Sequence, residues 1–123
     1  MTPPSLCGLR VLIVEDNVVV ADALKFLIES YQGSVLAMAP SVERAFEVLA
    51  ATTVDVAVLD INLNGASVVP LAEHLHARGI HFLFLTGYSD LALLPAHLHD
   101  RPRLDKPVDA ERLLLTLRDL FAP

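Results

Sequence analysis

Residues 54–60 read VDVAVLD and give the clearest indication of the fold of this chain. Apart from Asp55, residues 54–59 are aliphatic and mostly β-branched, and the run ends abruptly on the carboxylate of Asp60. A short, nearly continuous apolar run of this kind is typical of a parallel strand that is buried on both faces. We therefore predict a strand at residues 54–59 whose carboxyl end presents Asp60.

Similar runs lie on both sides of this strand. The other predicted strands are residues 9–14, 34–39, 80–85 and 103–105. Between them the apolar residues recur at helical spacing, as at Val20, Leu24, Leu27, Ile28 and Tyr31 before Gly33. Five strands that alternate with helical segments predict an α/β fold, in which helices cover both faces of one parallel sheet.

Several residues predict where the helices begin and end. Ser41 and Asp109 are suited to cap the second and the last helix, and Gly33 and Gly79 are suited to end the first and third. Residues 62–67 are predicted to form a loop before a helix that turns Val68, Leu71, Ala72 and Leu75 inward. Residues 89–100 are predicted to be an irregular fourth helix, because Pro95 interrupts them.

Length and composition limit the function classes. The chain has 123 residues, of which 54% are hydrophobic, and we predict one domain at residues 9–123, an N-terminal extension at 1–8 and no output domain. The net charge is −6 and the only lysines are Lys25 and Lys106, which argues against direct binding of nucleic acid. With one cysteine, Cys7, no signal peptide and no apolar run of about 20 residues, we expect a cytoplasmic protein that does not enter the membrane.

Polar residues follow the predicted strands at their carboxyl ends. These residues are Glu15, Asp16, Asp60, Thr86 and Lys106. Because ligands bind beyond the carboxyl ends of the strands in open α/β sheets, we expect these side chains to meet in one pocket. Three carboxylates that repel one another are tolerable when a cation lies among them, and hard oxygen ligands favour Mg²⁺.

This set of side chains predicts phosphoryl chemistry. Carboxylates form aspartyl-phosphates, so Asp60 is the candidate phosphoryl acceptor. A metal ion would screen the incoming negative charge, and Lys106 would act as a point charge against the phosphoryl oxygens. The hydroxyl of Thr86 is placed to form a hydrogen bond with one of those oxygens.

At these residues the sequence resembles the receiver domains of two-component response regulators. The matching pieces lie at four strand ends: VEDN at residues 14–17, LDINL at 59–63, LTG at 85–87 and DKP at 105–107. The resemblance covers about positions 9 to 121 and implies the flavodoxin-like strand order 2-1-3-4-5 in a three-layer (βα)5 sandwich. It further resembles a stand-alone subgroup with a Phe-Ala-Thr-Gly-x-Tyr motif, although here Leu85 replaces the Ala and Tyr88 falls one place early.

The family resemblance also implies roles for individual residues. It implies Mg²⁺ held by Asp16, Asp60 and the main-chain carbonyl of Asn62, with Glu15 acting through water, and a cis peptide between Lys106 and Pro107. Thr86, Gly87 and Lys106 would contact the phosphoryl group. The donor would be a histidine kinase or a histidine phosphotransfer protein, and the only reactions would be phosphorylation and dephosphorylation of Asp60, so that the protein is not an enzyme in the usual sense.

The sequence departs from the family where the signal leaves the site. Many receivers carry an aromatic residue three places before the lysine, and Arg103 stands there. The usual coupling of the threonine to that aromatic residue therefore cannot operate. Tyr88 is a candidate substitute, and Tyr88, Arg103 and Pro107 are candidate residues of a conformational or partner surface.

Other readings remain beside the phosphoryl-accepting one. A receiver-like module that binds its partner without phosphorylation is the main alternative. A haloacid-dehalogenase phosphatase needs a second Asp where Asn62 stands, and a flavodoxin needs a phosphate loop where the sequence has NVVVA at residues 17–21. The apolar run at residues 91–94 is explained by core packing or by a docking or homodimer patch. The spacing of the histidines, at positions 74, 76, 81, 97 and 99, argues against a metal site among them.

Overall fold

The fold is one parallel sheet with two helices on each face. The computed structural model describes residues 5–87 and 90–121. In chain order the elements are β1 (Arg10–Val14), α1 (Val18–Ser30), β2 (Ser34–Ala39), α2 (Val42–Ala51), β3 (Val56–Asp60), β4 (Asn62–Leu63), β5 (Ala66–Ser67), α3 (Val69–Ala77), β6 (His81–Thr86), two short 3-10 helices (Asp90–Leu93 and Ala96–Leu98), β7 (Arg103–Asp105) and α4 (Ala110–Phe121).

The order of the main sheet is β2-β1-β3-β6-β7, and every neighbouring pair is parallel. When the two-residue strands β4 and β5 are set aside, this is the predicted flavodoxin-like order 2-1-3-4-5, so the fold prediction is confirmed. All five carboxyl ends therefore lie along the same edge of the sheet.

Alternate residues of the central strands fill two cores. In β3, Ala57 and Leu59 pack with α2 and α3, whereas Val56 and Val58 pack with α1 and α4. All five residues of β3 are buried, which explains why the sequence of this strand is apolar almost throughout. Leu6, within the segment predicted to be an extension, is also fully buried in the second of these cores.

Side chains cap the helices as the sequence predicts. The hydroxyl oxygen of Ser41 accepts a hydrogen bond from the amide of Arg44 at 3.2 Å, and Asp109 accepts one from the amide of Arg112 at 3.0 Å. Asn17 does the same at the start of α1, where its Oδ1 accepts from the amide of Val19 at 3.0 Å. Asn17 therefore starts the helix directly after Glu15 and Asp16, which keeps both carboxylates at the end of β1.

Two local predictions were wrong. Residues 62–67 form the antiparallel pair β4 and β5 and not only a loop, with Asn64 and Gly65 at positive φ (51° and 82°) in the turn. At the end of α1 the residue with positive φ is Gln32 (75°) and not Gly33. Gly33 is needed for space instead, because a Cβ there would lie 2.6 Å from Cγ2 of Ile28.

The segment after β6 is irregular, as predicted. Two 3-10 helices flank Pro95, and this segment is held against α3 by His97, whose Nε2 lies 2.6 Å from Oε1 of Glu73. Within the apolar run at residues 91–94, Leu94 is buried in the core, which supports core packing, whereas Leu93 is 57% exposed. The docking or homodimer patch stays a prediction. Phe121, at the end of α4, is 43% exposed. No helix in the described part of the chain is long and apolar enough to span a bilayer.

Candidate functional site

Three carboxylates meet at the carboxyl edge of the sheet. Glu15 and Asp16 follow β1 and Asp60 ends β3, and one carboxylate oxygen from each lies within 4.8 Å of the others. Glu15 is 3% exposed and Asp60 is 2% exposed. Among the described residues only these three form a group that could hold a metal ion, so the histidines form none.

Lys106 joins two of the carboxylates from the end of β7. Its Nζ donates to Oε1 of Glu15 and to Oδ2 of Asp60, both at 3.1 Å. Partial burial disfavours the charged lysine, but the bonds to Asp60 and Glu15 outweigh this and raise the pKa of Lys106. The ammonium group therefore stays charged at neutral pH and offsets part of the negative charge. The peptide bond between Lys106 and Pro107 is cis, as the family resemblance implies.

The charged form of Glu15 is disfavoured in this cluster. Burial, together with the neighbouring Asp60, raises the pKa of Glu15 to about 7, although Lys106 opposes the shift. Its Oε2 is buried and has no hydrogen-bond partner among the described residues. A buried carboxylate oxygen without a donor is unfavourable, and a cation in the cluster would relieve it.

The stability of the metal-free protein should depend on pH through Glu15. Because the pKa of Glu15 is raised from 4.5 to about 7, its contribution to stability is fully present below the lower value and is lost as pH rises through the upper one. The neutral amide in Glu15→Gln does not titrate. Between about pH 5 and pH 8 the variant should gain on the order of 2 kcal/mol in unfolding free energy relative to wild type.

Urea unfolding of both proteins at the two pH values, in a chelator, measures this difference. If the difference in unfolding free energy between variant and wild type stays constant with pH, the pKa of Glu15 is not raised in the folded protein.

Thr86 ends β6, the strand next to β3, and Gly87 follows it; the hydroxyl of Thr86 and the amide of Gly87 each donate a hydrogen bond. The hydroxyl of Thr86 donates to Oδ1 of Asp105 at 2.8 Å, and the amide of Gly87 donates to Oδ2 of Asp90 at 2.7 Å. Neither Asp105 nor Asp90 was among the predicted site residues. Asp105 stands in the DKP motif, but its contact with Thr86 follows only from the pairing of these two residues between β6 and β7.

The remaining predicted site residues are Asn62, Arg103, Pro107 and Tyr88. The amide of Asn62 donates to Oδ1 of Asp60 at 3.2 Å, so Asn62 lies directly beside the carboxylate cluster. Arg103 is exposed and donates from Nη1 to the carbonyl of His99 at 2.8 Å. Pro107 is exposed, and Tyr88 lies outside the described residues.

The family model for the response regulator receiver domain matches residues 11–118. This chain belongs to that family. The receiver domain is the signal-accepting part of two-component systems, and this membership confirms the resemblance drawn from the four strand-end motifs. Receiver domains in general interact with histidine kinases or phosphotransfer proteins and have an acidic pocket that binds Mg²⁺.

Curated relatives and solved structures agree with the family. The receiver domain is 31% identical over 115 residues to the sensory transduction protein LytT of Bacillus subtilis, covering 89% of this chain and 47% of that protein. It thus spans about half the length of the curated relatives it matches. The solution structure of SdrG from Sphingomonas melonis Fr1 is 32% identical, covers 94% of this chain and 98% of that one, and has a TM-score of 0.78. Full-length FixJ from B. japonicum, at 21% identity and a TM-score of 0.79, covers 93% of this chain and 58% of that one and shows the shared fold.

Proposed function

We propose that this receiver domain accepts a phosphoryl group on Asp60, with Mg²⁺, from a histidine kinase or a histidine phosphotransfer protein. The observation that carries the proposal is the position of Asp60, which lies buried between Glu15 and Asp16 with Lys106 at 3.1 Å. Its own phosphorylation is the only reaction proposed. Cys7 is free, which suits a reducing compartment, and we place the protein in the cytoplasm.

The carboxylate cluster fits a divalent cation. Three oxygens within 4.8 Å of one another, and the buried Oε2 of Glu15 without a partner, are a donor set that a hard cation would complete. Asp16, Asp60 and the carbonyl of Asn62 would hold Mg²⁺, with Glu15 acting through water. When bound, the ion would neutralise the carboxylates and the charge on the phosphoryl oxygens.

The transfer itself is a displacement at phosphorus. An oxygen of Asp60 forms the new P–O bond, the P–N bond of the donor phosphohistidine breaks, and the imidazole leaves with the electron pair and takes up a proton. Lys106 offsets the charge that reaches the pocket, because its ammonium group already contacts Asp60. The hydroxyl of Thr86, at the end of β6, and the amide of Gly87, which follows it, are candidate donors to the phosphoryl oxygens.

Incubation with a small acyl phosphate tests the proposal without requiring the cognate kinase. With Mg²⁺ the protein should shift on a phosphate-affinity gel, and with a chelator it should not. The alternative function, a module that binds its partner without phosphorylation, predicts no shift in either condition. Loss of the shift after hydroxylamine treatment would identify the product as an acyl phosphate.

A groove beside the pocket is suited to seat the phosphodonor. It has a volume of about 310 Å³, lies between α1 and the segment after β7, and is lined by Val19, Leu24, Leu27, Lys106, Pro107 and Val108. Val19 is 77% exposed, and Lys106 at the same groove contacts Asp60. A donor protein with an apolar face around its histidine would, when seated there, bring the phosphohistidine to Asp60.

Val19→Glu should therefore slow transfer from a phosphorylated histidine protein by about tenfold or more, because a charge replaces apolar contact near the reacting groups. Its reaction with a small acyl phosphate should be unchanged, since that donor needs no docking surface. The control is Phe26→Glu, which places a charge at an equally exposed apolar position of α1 that does not line the groove. Equal losses for both variants would argue against the groove at α1.

A further inference from the structure

We propose that Asp105 is a positioning residue that holds the Thr86 hydroxyl in the resting protein and releases it when Asp60 is phosphorylated. This inference rests on the proposed function, because it assumes a phosphoryl group on Asp60. Position 103 is Arg and not an aromatic residue, so the response of Thr86 cannot be coupled to an aromatic side chain there. Asp105 is the residue from which the Thr86 hydroxyl must be released.

The Thr86 hydroxyl can donate to only one acceptor at a time. Thr86 is 5% exposed and donates to Oδ1 of Asp105 at 2.8 Å. A hydroxyl has one proton to donate, and phosphoryl oxygens at neutral pH are acceptors. Thr86 can therefore donate to Asp105 or to the phosphoryl group, but not to both. The resting bond and the activated bond exclude each other.

The hydrogen bond of Thr86 to Asp105 competes with a hydrogen bond of Thr86 to a phosphoryl oxygen. The carboxylate of Asp105 is a charged acceptor, and hydrogen bonds to charged acceptors are stronger than neutral ones. The backbone supports the pairing, because Thr86 and Asp105 are register partners and the amide of Lys106 donates to the carbonyl of Thr86 at 2.8 Å. A phosphoryl group must therefore displace a well-placed charged competitor, and Asp105 sets how readily Thr86 responds.

Loss of the bond to Thr86 leaves the Asp105 carboxylate to interact with the groups around it. Asp105 lines a pocket of about 360 Å³ between β7 and the start of α4, together with Arg103, Leu104, Pro107, Asp109 and Arg112. A carboxylate that has lost the hydroxyl of Thr86 is repelled by the new phosphoryl charge and attracted by the two arginines. When Thr86 changes partner from Asp105 to the phosphoryl group, the Asp105 carboxylate shifts at the surface of β7 and α4. Phosphorylation of Asp60 thereby changes this surface without an aromatic side chain.

The structure offers a matched control for the charge of Asp105. Asp90 also places a carboxylate beside the end of β6, but it accepts from the amide of Gly87 at 2.7 Å and not from Thr86. Removing either aspartate deletes one negative charge near the phosphoryl site. Only removal of Asp105 frees the hydroxyl.

A double-mutant cycle separates these effects. The affinity for beryllofluoride with Mg²⁺ is measured by calorimetry for wild type, Asp105→Ala, Thr86→Val and the double variant, at about 0.5 M salt to screen long-range charge effects. Asp105→Ala should bind about tenfold more tightly than wild type and gain almost nothing when Thr86 is already Val, a coupling of about tenfold. Asp105→Asn keeps an acceptor for the hydroxyl without the charge and should gain less than Asp105→Ala.

The same cycle with Asp90→Ala should show coupling to Thr86 within about twofold of unity. If wild type binds beryllofluoride and the coupling of Asp105 to Thr86 is also near unity, Asp105 does not hold the hydroxyl and the inference is wrong. If wild type does not bind the analogue at all, the proposed phosphoryl site is wrong and the inference is overturned with it. Unfolding curves of each variant establish that the compared proteins are folded.

Discussion

Asp60→Asn will take up phosphoryl groups from an acyl phosphate at least about a thousandfold more slowly than wild type, a loss typical of removing a nucleophile. Asparagine has nearly the same shape, but its neutral amide oxygen is too weak a nucleophile to form an acyl phosphate. Asp60 is buried at the centre of the carboxylate cluster, and no other carboxylate in that cluster contacts both Lys106 and the amide of Asn62. The reaction should therefore not move to a neighbour.

The rate is measured as the fraction shifted on a phosphate-affinity gel over time. Asp22→Asn is the control, because it removes the same charge from an exposed position on α1. This control should react like wild type. Labelling of Asp60→Asn at a rate near that of wild type would remove Asp60 from the mechanism.

Lys106→Met will slow the same reaction by about a hundredfold, the size of effect seen when one preorganised charge or donor is removed from a reacting centre. Methionine replaces the length of the side chain but not its charge. Without the ammonium group, Glu15 and Asp60 lose their shared partner at 3.1 Å, and the incoming phosphoryl group meets uncompensated carboxylates. Binding of Mg²⁺ should be less affected than the rate, since the carboxylate oxygens remain.

Lys25→Met is the matched control, because Lys25 is the only other lysine in the chain and lies on α1. It should leave the rate unchanged within about twofold. A Lys106→Met rate within about threefold of wild type would contradict a direct role for the ammonium group.

The convergence of the carboxylates could be predicted from the sequence because it depends on topology alone. Once 9–14 and 54–59 are neighbouring parallel strands, their carboxyl ends meet, and Asp16 and Asp60 are brought together whatever the details of packing. The same topology brings Lys106 to this edge of the sheet, where its Nζ contacts Glu15 and Asp60. The irregular segment around Pro95 was also predictable, because proline lacks the amide that a helix needs.

Other features needed a register or a backbone angle that apolar patterns do not contain. The contact of Thr86 with Asp105 requires knowing that these two residues are paired between β6 and β7. Gln32 takes the left-handed conformation although Gly33 is adjacent, and Gly33 is required instead for space beside Ile28. The turn at Asn64 and Gly65 is different, since Asn-Gly is a strong local hairpin signal and could have been recognised.

A crystal structure of the protein with Mg²⁺ and beryllofluoride would test the phosphoryl site on Asp60 directly. We expect one cation bound by oxygens of Asp16 and Asp60 at about 2.1 Å, and beryllium bonded to an oxygen of Asp60. The hydroxyl of Thr86 should then lie against a fluorine atom and not against Asp105. A cation bound away from this cluster, or an adduct on a different carboxylate, would contradict the account.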